Sequence, residues 1–383
     1  MPIQKATRSK LRLHNQQLVL RLVYSGEADN RAALAQKTGL TKPAISNLVA
    51  ELIEEGLLEE GGYGESTESG GKRPRLLNFV SEARQVIGVS INYDQFIGVM
   101  TNLDGQVIAQ HRSAFSGTAF DDIYPVLLDV INGLIAQLSA PLLCMGLGLP
   151  GVVDNGDGVV VYVPRFGWRD LPLSQILSEH YGVTAYVAND SHLASMALFA
   201  FADEPQSGGL ATVIVSQTVG VGIVAGETGS HYGSEIGYLR TRDMTTLDER
   251  LGWSRVRQRA GEIGTQYRSP YLQYPDLSYL HIRQGVENGD EGALVLQDEL
   301  AEGLVEICAW IIALVRPRNI ALSGKIADLG GPFLDVIVEK LTALVIPRLI
   351  EETSFFVDDS PNLISVGAAA NAIQQELGLA AAN

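Results

Sequence analysis

The pattern over the first 56 residues is helical. In residues 14–26 the apolar positions Leu18, Leu20, Leu22 and Val23 fall near helical spacing, and Gly26 ends the run. Asn30 is placed to cap a short second helix over 31–38, and Gly39 supplies the left-handed residue that turns the chain sharply. Leu40 plugs the core and Thr41 caps a third helix over 42–56, with Ile45, Leu48, Val49 and Leu52 as its inward stripe. That stripe leaves Lys42, Pro43, Ser46 and Asn47 outside on the first two turns. Pro43 is tolerated there because a first-turn N–H has no partner within the helix. Residues 57–80 read as a strand, a Gly/Ser-rich tip, the basic run of Lys72, Arg73, Pro74 and Arg75, and a second strand. Short helix, glycine turn, longer helix and basic hairpin in that order make a winged helix-turn-helix. Thr41, Lys42, Pro43, Ser46 and Asn47 would face the major groove of double-stranded DNA, with Lys72, Arg73 and Arg75 near the phosphates or the minor groove.

From Gln85 onward strands and helices alternate. Three strands over 85–112 precede a helix over 121–138 and a strand over 141–150. A strand over 184–188 leads into a helix from His192 to Phe201, and two strands over 209–226 begin a similar unit again. Helices over 291–316, 329–346 and 364–377 close the chain, with a strand between the first two. The expected fold class is α/β: residues 1–80 as a DNA-binding domain and residues 81–383 as two α/β lobes with a cleft between them, serving ligand sensing and oligomerisation.

Charge supports the division. The chain carries a net charge of −16, which by itself argues against nucleic acid. Residues 1–80, however, hold eleven Lys/Arg against nine Asp/Glu, and the remainder seventeen against thirty-five. A small basic module on a large acidic body suits a DNA reader with a separate sensor. A single winged module rarely suffices for specific affinity, so a homodimer or dimer of dimers on a two-fold symmetric operator is expected. Cys144 and Cys308 lie in apolar surroundings with no CxxC pair, so neither a disulfide nor a structural zinc is expected. No long apolar stretch or secretory leader is evident, which points to a cytoplasmic protein without a membrane contact.

The candidate chemistry sits in residues 146–197. The PGVVD turn containing Gly151, the proline and tryptophan loop containing Arg165, and Asn189-Asp190 four residues before an alanine resemble the signatures of the ROK family of bacterial sugar kinases and sugar-responsive repressors. With the winged helix in front, the chain resembles the repressor branch over residues 14–377. The resemblance implies a two-lobed actin/hexokinase-like sugar-binding domain. It implies sugar contacts from Asn189, Asp190 and Glu235, a cleft lined by Gly151 and Arg165, and Asp248 in place of a further sugar-binding glutamate. Tyr238 stands where the family has a zinc-binding histidine, the cysteine loop that follows is replaced by 239–253, and His192 or His231 could supply a lost contact.

The same comparison argues against an enzyme. Family kinases cradle a polyphosphate in glycine-rich loops. Here the first loop begins at Ser90 rather than Asp and carries Tyr93, the second reads Ser216, Gln217, Thr218 before Gly220 and Gly222, and the adenine-side glycines have become Ser323, Gly324, Lys325. Asp190, which resembles a catalytic base, would have no electrophile to serve. The reading is therefore a repressor of sugar transport or catabolism genes that senses a sugar or sugar phosphate without cofactor or metal. The alternatives are control by a protein partner or lost ligand sensing, and a ROK sugar kinase.

Overall fold

The structure is a computed structural model that describes residues 8–64, 73–92, 94–200, 208–225, 230–241 and 244–379. Lys72 and Tyr93 lie outside the described residues. Helix α1 spans Arg8–Tyr24, α2 Arg31–Thr38 and α3 Lys42–Glu54. Asn30 Oδ1 accepts the N–H groups of Ala32 and Ala33 at the start of α2, and Gly39 ends it at φ 70°. Thr41 Oγ1 accepts the Ala44 N–H at the start of α3. Strands β1 (Leu58–Tyr63) and β2 (Arg75–Phe79) form the antiparallel wing. Glu60 is an ion-pair partner of both Arg31 and Arg75, tying the wing to α2.

Two five-stranded sheets follow, and they share one topology. The first is built from β3 (Gln85–Ile91), β4 (Gln95–Thr101), β5 (Val107–Ala114), β6 (Leu142–Leu149) and β10 (Thr184–Asn189), in the order β10-β6-β3-β4-β5. Helix α4 (Phe120–Ile135) joins β5 to β6. A small sheet of β7 (Val152–Asp154), β8 (Val159–Val163) and β9 (Trp168–Leu171), followed by α5 (Leu173–Tyr181), joins β6 to β10. The half closes with α6 (Asp190–Ala200).

The second half repeats this order with β11 (Leu210–Val215), β12 (Val219–Ala225), β13 (Ser230–Ser234), β14 (Asn319–Ser323) and β15 (Ser354–Asp358), arranged β13-β12-β11-β14-β15. Its connection from β13 to β14 carries α7 (Leu247–Leu251), α8 (Trp253–Tyr267), α9 (Tyr279–Glu287) and α10 (Glu291–Leu314). Helices α11 (Gly331–Leu341) and α12 (Pro347–Glu351) join β14 to β15, and α13 (Leu363–Leu377) closes the half. In each half the first strand pairs antiparallel with the second and parallel with the fourth.

Several elements differ from the expectation. The helix expected over 329–346 is α11 alone, because Gly330 at φ 77° holds its start and the helix closes at Thr342 before Pro347 opens α12. Helices α8 and α9 were not evident, since α8 buries only Val256, Ala260, Ile263 and Gly264.

Helices α6 and α13 occupy equivalent places and pack on each other between the sheets. Their approach is backbone to backbone, since a Cβ on Gly367 would overlap the Leu193 carbonyl; α6 meets β12 in the same way, a Cβ on Gly222 overlapping the Ser191 carbonyl. Glycine is required where main chains meet this closely. The winged helix shares its core with the first sheet, as Val19, Leu20, Leu48, Val49 and Leu58 form one buried cluster with Val86, Cys144, Ile373 and Leu377.

Candidate functional site

The Asn189-Asp190 pair sits where β10 ends and α6 begins, at the carboxyl end of a parallel strand beside the second sheet. Parallel strands deliver their ends to a crevice, which is where open α/β sheets bind ligands. Asn189 organises this crevice. Its Oδ1 accepts the N–H groups of Ser191 (3.1 Å) and His192 (3.2 Å) and the Ser191 hydroxyl (2.6 Å), so it caps α6. Its Nδ2 donates to the Gly151 carbonyl at 3.0 Å and to Glu235 Oε1 at 2.7 Å. One amide thus joins the PGVVD turn of the first lobe to Glu235, which follows β13 in the second. Gly151 adopts φ 99°, and a Cβ there would crowd the Tyr162 carbonyl at 2.5 Å.

Beside that amide, Asp190, Glu235 and Asp248 act on one another through their charges. Asp190 Oδ1 accepts the Ser191 N–H at 2.7 Å. Burial lifts Asp190 to about 6, with bonds from backbone N–H groups opposing the rise and the Asp248 charge adding to it. Burial, and then the Asp190 charge, lifts Glu235 to about 7. Asp248 is raised as well, by burial, and its Oδ1 accepts the Val219 N–H at 2.7 Å. Tyr238 is 46% exposed at the rim. Burial pushes its phenol up to about 12, and the charges of Asp248, Glu235 and Tyr162 add to this. The arrangement offers hydrogen-bond acceptors in partly desolvated surroundings and disfavours further negative charge.

The remaining expected residues are spread around this centre. Arg165 lies with its guanidinium 5.3 Å from the Phe166 ring centre, in the aromatic wall of the first lobe that also includes Trp168. His192 is buried on α6, and the side chain of His231 lies outside the described residues. Residues 236–241 and 244–252 are braced by hydrogen bonds: Val219 N–H to Asp248, Leu247 N–H to the Leu239 carbonyl, Thr241 Oγ1 to the Thr245 carbonyl, and a reciprocal Thr246–Glu249 cap on α7. This segment has no cysteine and no histidine, so it does not fit a zinc ion. Among the described residues no group of three or more His, Cys, Asp or Glu side chains is placed to hold a metal.

The phosphate-side hydroxyls are engaged elsewhere. Ser90 Oγ lies 2.8 Å from Ser365 Oγ, which itself donates to the Ile97 carbonyl, so Ser90 belongs to the α13 packing. Ser216 Oγ accepts the Lys325 N–H at 3.0 Å, and Ser323 donates to Asp358 at 3.0 Å. Gly220 and Gly222 lie against Ser191 of α6, which gives both a packing role. Sequence reasoning missed Ser191, Ser365 and Tyr162. Ser191 lies next to the motif, but nothing in the linear pattern marks the other two.

At the other end of the molecule, Thr41, Lys42, Pro43, Ser46 and Asn47 are all exposed on the outer face of α3, while Ile45, Leu48, Val49 and Leu52 are buried. Arg73 and Arg75 are exposed on the wing, Arg75 with Glu60 as ion-pair partner. Among the described residues no helix is long and apolar enough to cross a membrane.

Residues 86–248 match the model of the ROK family. The chain is 28% identical over 213 residues to the xylose repressor of Bacillus subtilis (strain 168), covering 55% of each protein, so it spans about half the length of such curated relatives. It is 23% identical over 343 residues to the transcriptional dual regulator NagC of Escherichia coli (strain K12), covering 84% of this chain and 83% of that one. Among solved structures, a ROK family transcriptional regulator homologous to the E. coli MLC protein superposes with a TM-score of 0.82 at 20% identity, covering 96% of both chains. A ROK glucokinase from Streptomyces griseus superposes with a TM-score of 0.66 at 20% identity, over 76% of this chain and 99% of that one. The fold is therefore a winged helix joined to two α/β lobes, as in the first of these solved structures.

Proposed function

We propose that this chain, which carries a ROK family domain, is a DNA-binding repressor of sugar transport or catabolism genes whose cleft senses a sugar and does not phosphorylate it. The observation that carries the reading is that Asp190, Glu235 and Asp248 act on one another through their charges while Ser90, Ser216 and Ser323 are each engaged in a hydrogen bond within the fold. Carboxylates in a crevice accept bonds from vicinal hydroxyls, and Asp190 would hold a hydroxyl that a kinase would activate. The crowding of negative charge favours an uncharged sugar over a sugar phosphate, because an anion would meet three acids already resisting ionisation. Relatives named xylose repressor and N-acetylglucosamine repressor make D-xylose and N-acetyl-D-glucosamine the sugars to test, D-xylose first.

The exposed face of α3, with the wing beside it, supports operator binding by Lys42, Ser46 and Asn47. A homodimer would present two such faces to a two-fold symmetric site. Ligand bound across the amide bridge of Asn189 would favour one relative placement of the lobes, and operator affinity would follow that equilibrium.

The test is a melting series on the full chain with D-xylose, D-glucose, N-acetyl-D-glucosamine and their phosphate esters, followed by gel-shift titration on DNA upstream of its own gene. A free sugar that raises the melting temperature and changes operator affinity supports the reading. Sugar-dependent ADP release from ATP would replace it with a kinase. DNA binding indifferent to every sugar would favour control by a protein partner or lost ligand sensing.

A further inference from the structure

We propose that α13 carries the state of the sugar cleft to the winged helix, with Tyr186, Glu376 and Gln17 as the positioning residues at its outer end. The input rests on the sugar-sensing reading above, whereas the path rests on packing.

Helix α6 starts at Asp190, so a displacement of the Asn189-Asp190 pair is a displacement of its first turn. That turn has little freedom to absorb it. The Ser191 carbonyl lies against Gly222 of the second sheet, and the Leu193 carbonyl lies against Gly367 of α13. Main chain packed on main chain offers no rotamer to yield, so the elements shift together.

Helix α13 is held as closely on its other side. Cβ atoms on Gly88 of β3 and Gly146 of β6 would overlap the carbonyls of Ser365 and Ala368, and Ser365 Oγ is bonded to Ser90 and to the Ile97 carbonyl. A change in the angle between the lobes must therefore be taken up where α6, α13 and the first sheet meet.

The far end of α13 enters the core of the winged helix. Ile373 and Leu377, with Leu379 beyond them, are buried with Val19, Leu20 and Val23 of α1. Gln17 Nε2 of α1 donates to the Glu376 carbonyl at 3.2 Å, and Gly378, at φ 67°, lies against the Gln17 side chain. Tyr186 donates its hydroxyl to Glu376 Oε2 at 2.6 Å. Tyr186 stands on β10, the strand that ends at Asn189.

Two routes thus leave the ligand site and meet at Glu376. One runs through α6, Gly367 and about 14 Å of helix, the length of the nine residues from Gly367 to Glu376 at about 1.5 Å each. The other runs along β10 to Tyr186. Among the described residues the hydrogen bonds of Tyr186 and Gln17 go to Glu376, not to the cleft carboxylates or to α3, so their role lies in coupling the two.

The experiment measures operator Kd of the full chain by fluorescence anisotropy, with and without saturating D-xylose, for the wild type, Tyr186→Phe and Gln17→Ala. The wild type is expected to show at least a tenfold ratio between the two conditions. Both variants should keep the melting shift caused by D-xylose and a sugar-free Kd within about threefold of wild type, while the ratio falls below threefold. A residue that only supported the fold would lower the melting temperature and leave the ratio intact. An unchanged ratio in both variants overturns the path.

Should D-xylose leave the wild type unmoved, the effector assignment fails, and the path is judged without ligand. Gly367→Ala, which wedges α6 from α13, is expected to change the sugar-free operator Kd at least fivefold in a chain that still melts cooperatively. If that variant does not fold, Ser365→Ala, which releases α13 from Ser90 and Ile97 without adding bulk, takes its place. An unchanged Kd in the folded variant overturns the proposal.

Discussion

Replacing Asp190 by Asn exposes what the cleft costs the empty protein. Asn keeps the size of the side chain and an oxygen for the Ser191 N–H, but removes a charge that burial disfavours. The carboxyl moves from 3.8 to about 6 on folding, and each pH unit of such a move is worth about 1.4 kcal/mol. The upper bound is therefore about 3 kcal/mol, and water entering the open cleft reduces it to about 1 to 2 kcal/mol. The sign follows from proton binding. Between pH 4 and 6 the folded chain binds more protons at Asp190 than the unfolded chain does, so the wild type loses stability as pH rises through that window, and the loss is complete above it. Asp190→Asn removes this loss. At pH 8 it should melt about 2 to 8 °C above wild type, taking about 2 to 4 °C per kcal/mol, and the gain should vanish towards pH 4. Sugar binding should be abolished while operator binding stays intact. The assay is paired thermal melts from pH 4 to 8, with calorimetric titration of D-xylose and operator binding at pH 7.5. A variant less stable than wild type at pH 8, a difference independent of pH, or a full sugar response would refute the reasoning.

Three further outcomes are expected. Lys42→Ala combined with Asn47→Ala should weaken operator binding at least tenfold with an unchanged circular dichroism spectrum, since both side chains are exposed on α3; undiminished affinity would remove α3 as the reading helix. Gly222→Ala should destabilise by about 1 to 3 kcal/mol or more, because the new methyl meets the Ser191 carbonyl, whereas Gly220→Ala, with 3.0 Å to the Ser191 Cβ, should cost less in denaturant unfolding; equal costs would count against close packing of α6. Cys144 and Cys308 should resist Ellman's reagent in the native chain and react in denaturant, because burial raises both thiols, Cys308 to about 12; rapid native labelling would contradict this.

What the chain determines by itself is local. Asn30, Gly39, Thr41 and Pro43 specify helix starts and stops through their own side chains and backbone, and the stripe of Ile45, Leu48, Val49 and Leu52 follows from helical periodicity. The duplicated strand pattern and the Asn189-Asp190 motif are legible for the same reason, being contiguous. Helices α8 and α9 escaped because few of their residues are buried, and their periodicity is diluted by polar and glycine positions. Tertiary structure decided the rest. Asn189 reads as a ligand contact, yet only the fold spends its amide on Gly151, Glu235 and the start of α6. Ser90 reads as a lost phosphate contact, and only the fold sets it against Ser365, 275 residues away. Gly220 and Gly222 read as remnants of a phosphate loop, but the main chain of α6 lies against them. Spacing along a chain encodes which face a residue occupies; which distant backbone comes to rest against that face depends on the packing of both sheets around α6 and α13.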